Sequence, residues 1–234
     1  MKILILGYGK MGKAIEAIAL ANGHEIVGKI SSKTKENVPT TADVAIEFSN
    51  PESAVENIKF CIDHQIPVIC GTTGWLSFRK EVEAYCQEKN GTFFYASNFS
   101  IGVNIFFKVN EFLADKMKTQ SSYNVDINEI HHTQKKDSPS GTAITLAESI
   151  VDILPFKKDW SNSETTDPST LVIHSQRIDP TPGTHKVRYT SAVDDLEIKH
   201  TAHSREGFAK GAVLVAEWIQ DKRGVLSMDD FLNF

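Results

Sequence analysis

The first dozen residues restrict the fold more than any other stretch. KILIL (2–6) is a short apolar run of buried-strand type, and GYGKMG follows at once, with glycines at 7, 9 and 12. From Lys10 to Ala21 the apolar residues Met11, Ala14, Ile15, Ile18 and Ala19 recur at helical spacing. Strand, G-x-G-x-x-G turn and helix in that order open a β-α-β unit of the kind that takes a dinucleotide. Gly7 permits the tight turn, Gly9 lets a pyrophosphate approach backbone, and Gly12 lets the helix pack close to the sheet. The first N–H groups of the helix and its positive end then face the phosphates. The competing reading is a purely structural turn.

The same rhythm continues to residue 96. HEIVGKI (24–30), ADVAIEFS (42–49), PVIC (67–70) and TFFYA (92–96) read as further strands. Helices are expected from Pro51 to His64, where proline suits the first turn, and over 76–89. Strands separated by helices imply parallel crossovers, hence a Rossmann-type doubly wound α/β sheet. After Gly102 the rhythm changes. A helix over 103–117 precedes strands at 124–132, 169–178, 184–192 and 196–202, with a helix from Ser140 to Leu154 between the first two. The last two strands alternate in period two around VDD, an antiparallel hairpin. The polar stretch 157–169 is expected to be a mobile loop. The expected division is a dinucleotide-binding domain over 1–102, completed by C-terminal helices at about 206–234. An inserted α+β domain with a mixed or antiparallel sheet fills 103–205.

Composition excludes several function classes. With 25 Lys and Arg against 30 Asp and Glu, the net charge of −5 offers no attraction to nucleic acid or to an anionic membrane. No run approaches the ~18 apolar residues of a membrane span. Three cysteines without C-x-x-C spacing suit a reducing cytosol, so a cytoplasmic location is expected.

Other segments carry chemistry. An acid after the second strand would favour NAD; this chain has Ser31, Ser32 and Lys33, which accept a 2′-phosphate, so NADP should be tolerated. A solvated loop start is the alternative for Lys33. CGTTGW (70–75) and ASNFSIG (96–102) end two strands with glycine and small hydroxyl residues, where a nicotinamide ring could lie against backbone or where turn chemistry alone operates. EIHHTQKKDSPSG (129–141) crowds two histidines, two lysines and an aspartate before a helix start. Adjacent strand residues point to opposite faces, so His131 and His132 make a poor chelate and no metal is expected. A solvated charged loop is one reading. The catalytic one has a histidine and a lysine handling protons while Ser140, Gly141 and Thr142 form a carboxylate site at the helix N-terminus.

EIHHTQKKDSPSGTA resembles the H-H-x-x-K-x-D-x-P-S-G-T-A signature of the dihydrodipicolinate (4-hydroxy-tetrahydrodipicolinate) reductase family. GTTGW, NFSIGVN, Arg177 with PGTH (182–185), and HTAHSREGFAKGA (200–212) follow the family in the same order. The resemblance implies NADH- or NADPH-dependent reduction of (2S,4S)-4-hydroxy-2,3,4,5-tetrahydrodipicolinate to tetrahydrodipicolinate, with release of water, in lysine and diaminopimelate synthesis. It implies that His131 and Lys135 handle protons, that His132 contacts substrate, and that Gly141 and Thr142 bind a carboxylate. Lys10, Met11, Gly71, Thr72, Thr73, Ala96, Ser97, Asn98 and Phe99 would line the cofactor site with Gly7, Gly9 and Gly12. A homotetramer assembled through the strand-rich domain is implied as well. Three departures stand out: a glycine loop one residue shorter, Ser32 and Lys33 where the family often has an acid and an arginine, and missing residues around 30–42. A more open adenine pocket is expected from the last. The rival readings are a non-catalytic dinucleotide sensor and another two-domain dehydrogenase.

Overall fold

The computed structural model describes residues 1–31, 38–204 and 206–234. The chain forms two compact units, Met1–Ile101 with Glu206–Phe234, and Gly102–Arg205.

In the first unit, β1 (Lys2–Leu6) is followed by α1 (Lys10–Ala21), β2 (Glu25–Ile30), β3 (Val44–Glu47), α2 (Pro51–Asp63), β4 (Val68–Cys70), α3 (Arg79–Glu88) and β5 (Thr92–Tyr95). Asn50 caps α2 by accepting from the Ser53 N–H at 3.0 Å, with Pro51 at the first helical position. The residues of β1, β3, β4 and β5 are almost all buried because a parallel sheet is covered on both faces. Alternation divides them. Ile3, Ile5, Ile46, Ile69 and Phe94 belong to one core, and Leu4, Leu6, Ala45, Val68 and Phe93 to the other, which α2 and α3 cover through Ile58, Ile62, Val82 and Cys86.

The second unit comprises α4 (Ile101–Met117, whose first residue still belongs to the first unit), β6 (Asn124–His131), α5 (Gly141–Ile153), β7 (Asp159–Ser161), β8 (Thr170–Arg177), β9 (Gly183–Thr190) and β10 (Asp195–Ala202). Its sheet runs β10-β9-β6-β8-β7 and is mixed: β10, β9 and β6 are antiparallel, while β6, β8 and β7 are parallel. One core joins Val125 and Ile127 of β6, Leu171 and Ile173 of β8, and Val187 and Tyr189 of β9 to Leu146 and Ile150 of α5.

The chain then returns to the first unit through α6 (Glu206–Trp218), β11 (Gly224–Leu226) and α7 (Met228–Leu232). The completed sheet is entirely parallel in the order β11-β5-β4-β3-β1-β2, so the strand order reverses between β1 and β3. Helix α6 adds Ala212, Val213 and Ala216 to the core of Ile3, Ile5 and Phe94. It approaches so closely that a Cβ at Gly211 would stand 1.8 Å from the Phe99 carbonyl oxygen.

Two expectations need correction. The stretch 157–169, read as a mobile loop, contains β7, and its Lys157 is buried with Nζ donating to Asn124 Oδ1 (3.0 Å) and the Pro168 carbonyl (2.9 Å). A charged residue type hid a structural role: the ammonium bridges the approach to β6 and the start of β8. The C-terminal stretch, expected to be helical over about 206–234, breaks after Trp218, and a tight turn leads into β11, too short to register as a strand pattern.

Candidate active site

The reversal between β1 and β3 is where open parallel sheets bind ligands, beyond the carboxyl ends of the strands. A pocket of about 260 Å³ lies there, walled by Gly7, Tyr8 and Gly9 after β1, Ser31 after β2, and Phe48 and Ser49 after β3. Gly7 has φ +99°, and a Cβ on it would come 2.1 Å from the Phe48 carbonyl oxygen, so only glycine makes this turn. At Gly9 an added Cβ would meet nothing within 4 Å, which is the open ground a pyrophosphate needs. Helix α1 begins there without a side-chain cap and without an acid in its first turn. Its first N–H groups and dipole therefore suit an anion, and the residues fit a dinucleotide.

Beneath the pocket, fully buried Glu47 accepts hydrogen bonds from the Ser49 backbone (3.1 Å), the Ser49 hydroxyl and the Cys70 thiol (3.0 Å). Burial, the Glu47 charge and that hydrogen bond raise the Cys70 thiol well above its ordinary range, so it stays protonated. Thr72 Oγ1 accepts a second bond from the Ser49 N–H at 2.8 Å.

In the second unit, the period of two on three neighbouring strands builds a row of polar groups. The inward stripe of β6 runs Val125, Ile127, Glu129, His131; that of β8 runs Leu171, Ile173, Ser175, Arg177; that of β9 runs Tyr189, Val187, His185. Each stripe turns from apolar to functional at the same end. The register sets Glu129 opposite both Ser175 and His185, and His131 opposite Arg177.

Glu129 has no solvent exposure and sits at the centre. Its oxygens accept the Ser140 N–H at 3.1 and 3.2 Å, and Oε1 accepts from both terminal nitrogens of Arg177 at 3.2 Å. Oε2 lies 3.2 Å from His131 Nδ1 and 3.8 Å from His185 Nε2. Burial alone would raise this carboxyl, but the neighbouring His131, the Ser140 N–H and Ser175 outweigh it and hold Glu129 ionised, far below its usual range. His185 is pushed down to about 3, first by burial and then by His131 nearby, so it is neutral around pH 7. Its Nε2 lies 3.0 Å from Ser140 Oγ, and its ring meets that of His131 edge to face at 5.0 Å between centroids.

Ser140 links this row to helix α5. Its hydroxyl accepts from the Ala143 N–H at 3.2 Å as the N-cap, leaving the helix start at Gly141 and Thr142 to face outward. An added Cβ at Gly141 would meet nothing within 4 Å. Between β6 and α5 the loop carries Lys135, whose ammonium binds both oxygens of Asp137 at 2.8 and 3.0 Å. The Asp137 carbonyl in turn accepts from Arg177 at 2.6 Å.

The residues expected from the sequence thus fall into two groups, one in each unit. Gly7 and Gly9 line the first pocket, with Lys10, Met11 and Gly12 in the opening turn of α1. Gly71, Thr72 and Thr73 follow β4, and Ala96, Ser97, Asn98 and Phe99 follow β5. Ala96 and Phe99 are core residues, so only their backbone is available to a cofactor, and Asn98 Oδ1 accepts from the Ser100 N–H at 2.9 Å. Ser32 and Lys33 lie outside the described residues. His131, Lys135, Gly141 and Thr142 gather at one end of the second sheet, and His132 follows β6 directly. Sequence reasoning gave no role to Glu129. It met Arg177 and His185 only as part of a motif; the shared parity of the three stripes is the signal that could have found them.

A nucleotide-type unit joined to a unit carrying acid–base groups beside an anion cradle defines an NAD(P)H-dependent oxidoreductase. Comparison with known proteins gives the family. Residues 1–99 match the model described as "Dihydrodipicolinate reductase, N-terminus", and residues 102–232 match "Dihydrodipicolinate reductase, C-terminus". The 4-hydroxy-tetrahydrodipicolinate reductase of Christiangramia forsetii is 47% identical over all of this chain and 98% of its own length. That of Methanosarcina acetivorans is 38% identical over 83% of the chain and 74% of its own. The structure of dipicolinate-bound dihydrodipicolinate reductase from Paenisporosarcina sp. TG-14 shares the fold, with a TM-score of 0.79 at 20% identity over 99% of both chains. The chain belongs to the dihydrodipicolinate reductase family.

The buried histidine makes stability depend on pH. Between its ordinary value of 6.5 and about 3, the unfolded chain binds a proton at position 185 that the folded chain refuses. This contribution is complete above 6.5 and is lost on acidification by up to about 1.4 kcal/mol per pH unit. The urea midpoint is expected to fall between about pH 7.5 and about pH 5, and to fall less in His185→Asn. Parallel pH dependences in the two proteins would contradict a neutral buried His185.

Proposed function

We propose that this chain reduces (2S,4S)-4-hydroxy-2,3,4,5-tetrahydrodipicolinate to tetrahydrodipicolinate with release of water, the reaction for which its relatives are named. The observation that carries this reading is the polar row centred on Glu129, with proton-handling side chains beside an open helix N-terminus. The substrate has two carboxylates. One is assigned to the N–H groups of Gly141 and Thr142, where the α5 dipole favours an anion. Lys135 and His132, on the loop after β6, are assigned to the remaining polar contacts of the substrate.

A bound nicotinamide cofactor supplies the hydride. A proton must then reach the neighbouring carbon, and two acids of this chain stand near. His131 is held beside the Glu129 carboxylate with its side chain 9% exposed, whereas that of Lys135 is 23% exposed. Lys135, the more open of the two, hands over the proton, and His131 stays in the row with Glu129 behind it. Asp137 holds the Lys135 ammonium in place, 2.8 Å from its Oδ2, until substrate arrives.

The reading includes cytoplasmic work, consistent with three free, buried cysteines, and assembly as a homotetramer through the second unit. Edge strand β10 supports that assembly. Its Leu196 is exposed, as is Val193 in the turn before it. Sedimentation equilibrium is expected to give four chains per particle, and a monomer at assay concentrations would refute the tetramer.

Lys135→Ala is expected to cut turnover at least ~10²-fold while leaving nucleotide affinity unchanged. Near-normal turnover, followed by nicotinamide absorbance, would remove Lys135 from the chemistry.

A further inference from the structure

Glu129, His131 and His185 converge in a way that proton transfer does not require. Their ligating atoms all lie within 4.8 Å of one another, and all three residues are buried. Strand geometry dictates this meeting. Glu129 and His131 stand two apart on β6 and so share a face, and the register puts His185 directly opposite Glu129. Donor atoms about 2.0–2.1 Å from a tetrahedral Zn²⁺ stand roughly 3.4 Å apart. Glu129 Oε2 is 3.2 Å from His131 Nδ1 and 3.8 Å from His185 Nε2, on either side of that separation. Two imidazoles and one carboxylate also form a donor set used by catalytic zinc sites.

A second observation points to a ligand at the same place. His131 Nδ1 is buried and, among the described residues, makes no aligned hydrogen bond, although Glu129 Oε2 is within ion-pair reach. Buried ring nitrogens are normally paired. Arg177 takes the opposite oxygen, Oε1, so that Oε2, which also accepts the Ser140 N–H at 3.2 Å, faces the two imidazoles. Coordination would displace the 3.0 Å contact between His185 Nε2 and Ser140 Oγ, bringing that hydroxyl or a water to the fourth position.

We propose that Glu129, His131 and His185 form a three-ligand site for a borderline-soft divalent cation of the Zn²⁺ type, and that its occupation stops turnover by taking His131 as a ligand. Binding is independent of the reaction. Only the loss of turnover rests on the role proposed above for His131.

The test is dialysis of the full chain against Zn²⁺ or Co²⁺, with bound metal counted by atomic absorption and the Co²⁺ spectrum recorded. Expected are a single ion per chain, ligand-field bands without a thiolate charge-transfer band, and at least ~10-fold weaker uptake by His185→Ala. Failure to bind stoichiometrically, a thiolate band pointing to Cys61, Cys70 or Cys86, or equal uptake by the folded variant overturns the site. Circular dichroism checks the variant's fold; if it is unfolded, stoichiometry and spectrum of the parent protein decide. Zn²⁺ held in this site with undiminished turnover would keep the site and refute the role of His131.

Discussion

A single buried carboxylate organises the second unit. Leaving Glu129 charged and without solvent costs several kcal/mol unless partners compensate. Those partners come from four different elements: the Ser140 N–H at the start of α5, Arg177 from β8, His131 from its own strand, and His185 from β9. The carboxylate thereby fixes the angle at which α5 leaves the sheet, and so the direction in which the Gly141 and Thr142 N–H groups point. It also brings Arg177 to the Asp137 carbonyl, which holds the loop that presents Lys135. Removing the carboxylate would leave a half-buried guanidinium and the Ser140 N–H without their common acceptor.

The first unit solves a different problem with backbone rather than charge. Its turn after β1 works because Gly7 adopts φ +99° against the Phe48 carbonyl, and because nothing stands in front of Gly9. Glu47 is the buried acid here too, but it acts beneath the pocket by holding Ser49, itself a wall of that pocket, together with the Cys70 thiol. Both units thus place a buried carboxylate near the carboxyl end of a strand and use it to set nearby backbone, Ser49 in the first and the start of α5 in the second.

Much of this was legible in the chain. The alternation of KILIL, GYGKMG and a helical stripe gave the parallel sheet, since apolar period and turn chemistry agree there. The H-H-x-x-K block gave the family. Less legible were features that depend on pairing across strands. Nothing local marks Glu129 as buried, because its burial follows from the parity it shares with Val125 and Ile127 and from a partner 56 residues away, His185 across the β6–β9 register. Lys157 misled for the same reason: its acceptors lie on Asn124 and Pro168, and a lysine in a polar run reads as solvated. Strand β11 escaped because three residues, one a glycine, carry no periodicity and are ordered by pairing with β5.

The most direct test compares wild type with Glu129→Gln in a coupled assay. Dihydrodipicolinate synthase, pyruvate and aspartate semialdehyde would form the labile substrate in place, and nicotinamide absorbance would be followed with NADH and NADPH separately. The account predicts oxidation by the wild type that needs every coupling component. It predicts turnover lower by at least ~10-fold in Glu129→Gln at unchanged nucleotide affinity. No oxidation by a folded wild type that binds nucleotide, or equal turnover in the two proteins, would contradict it.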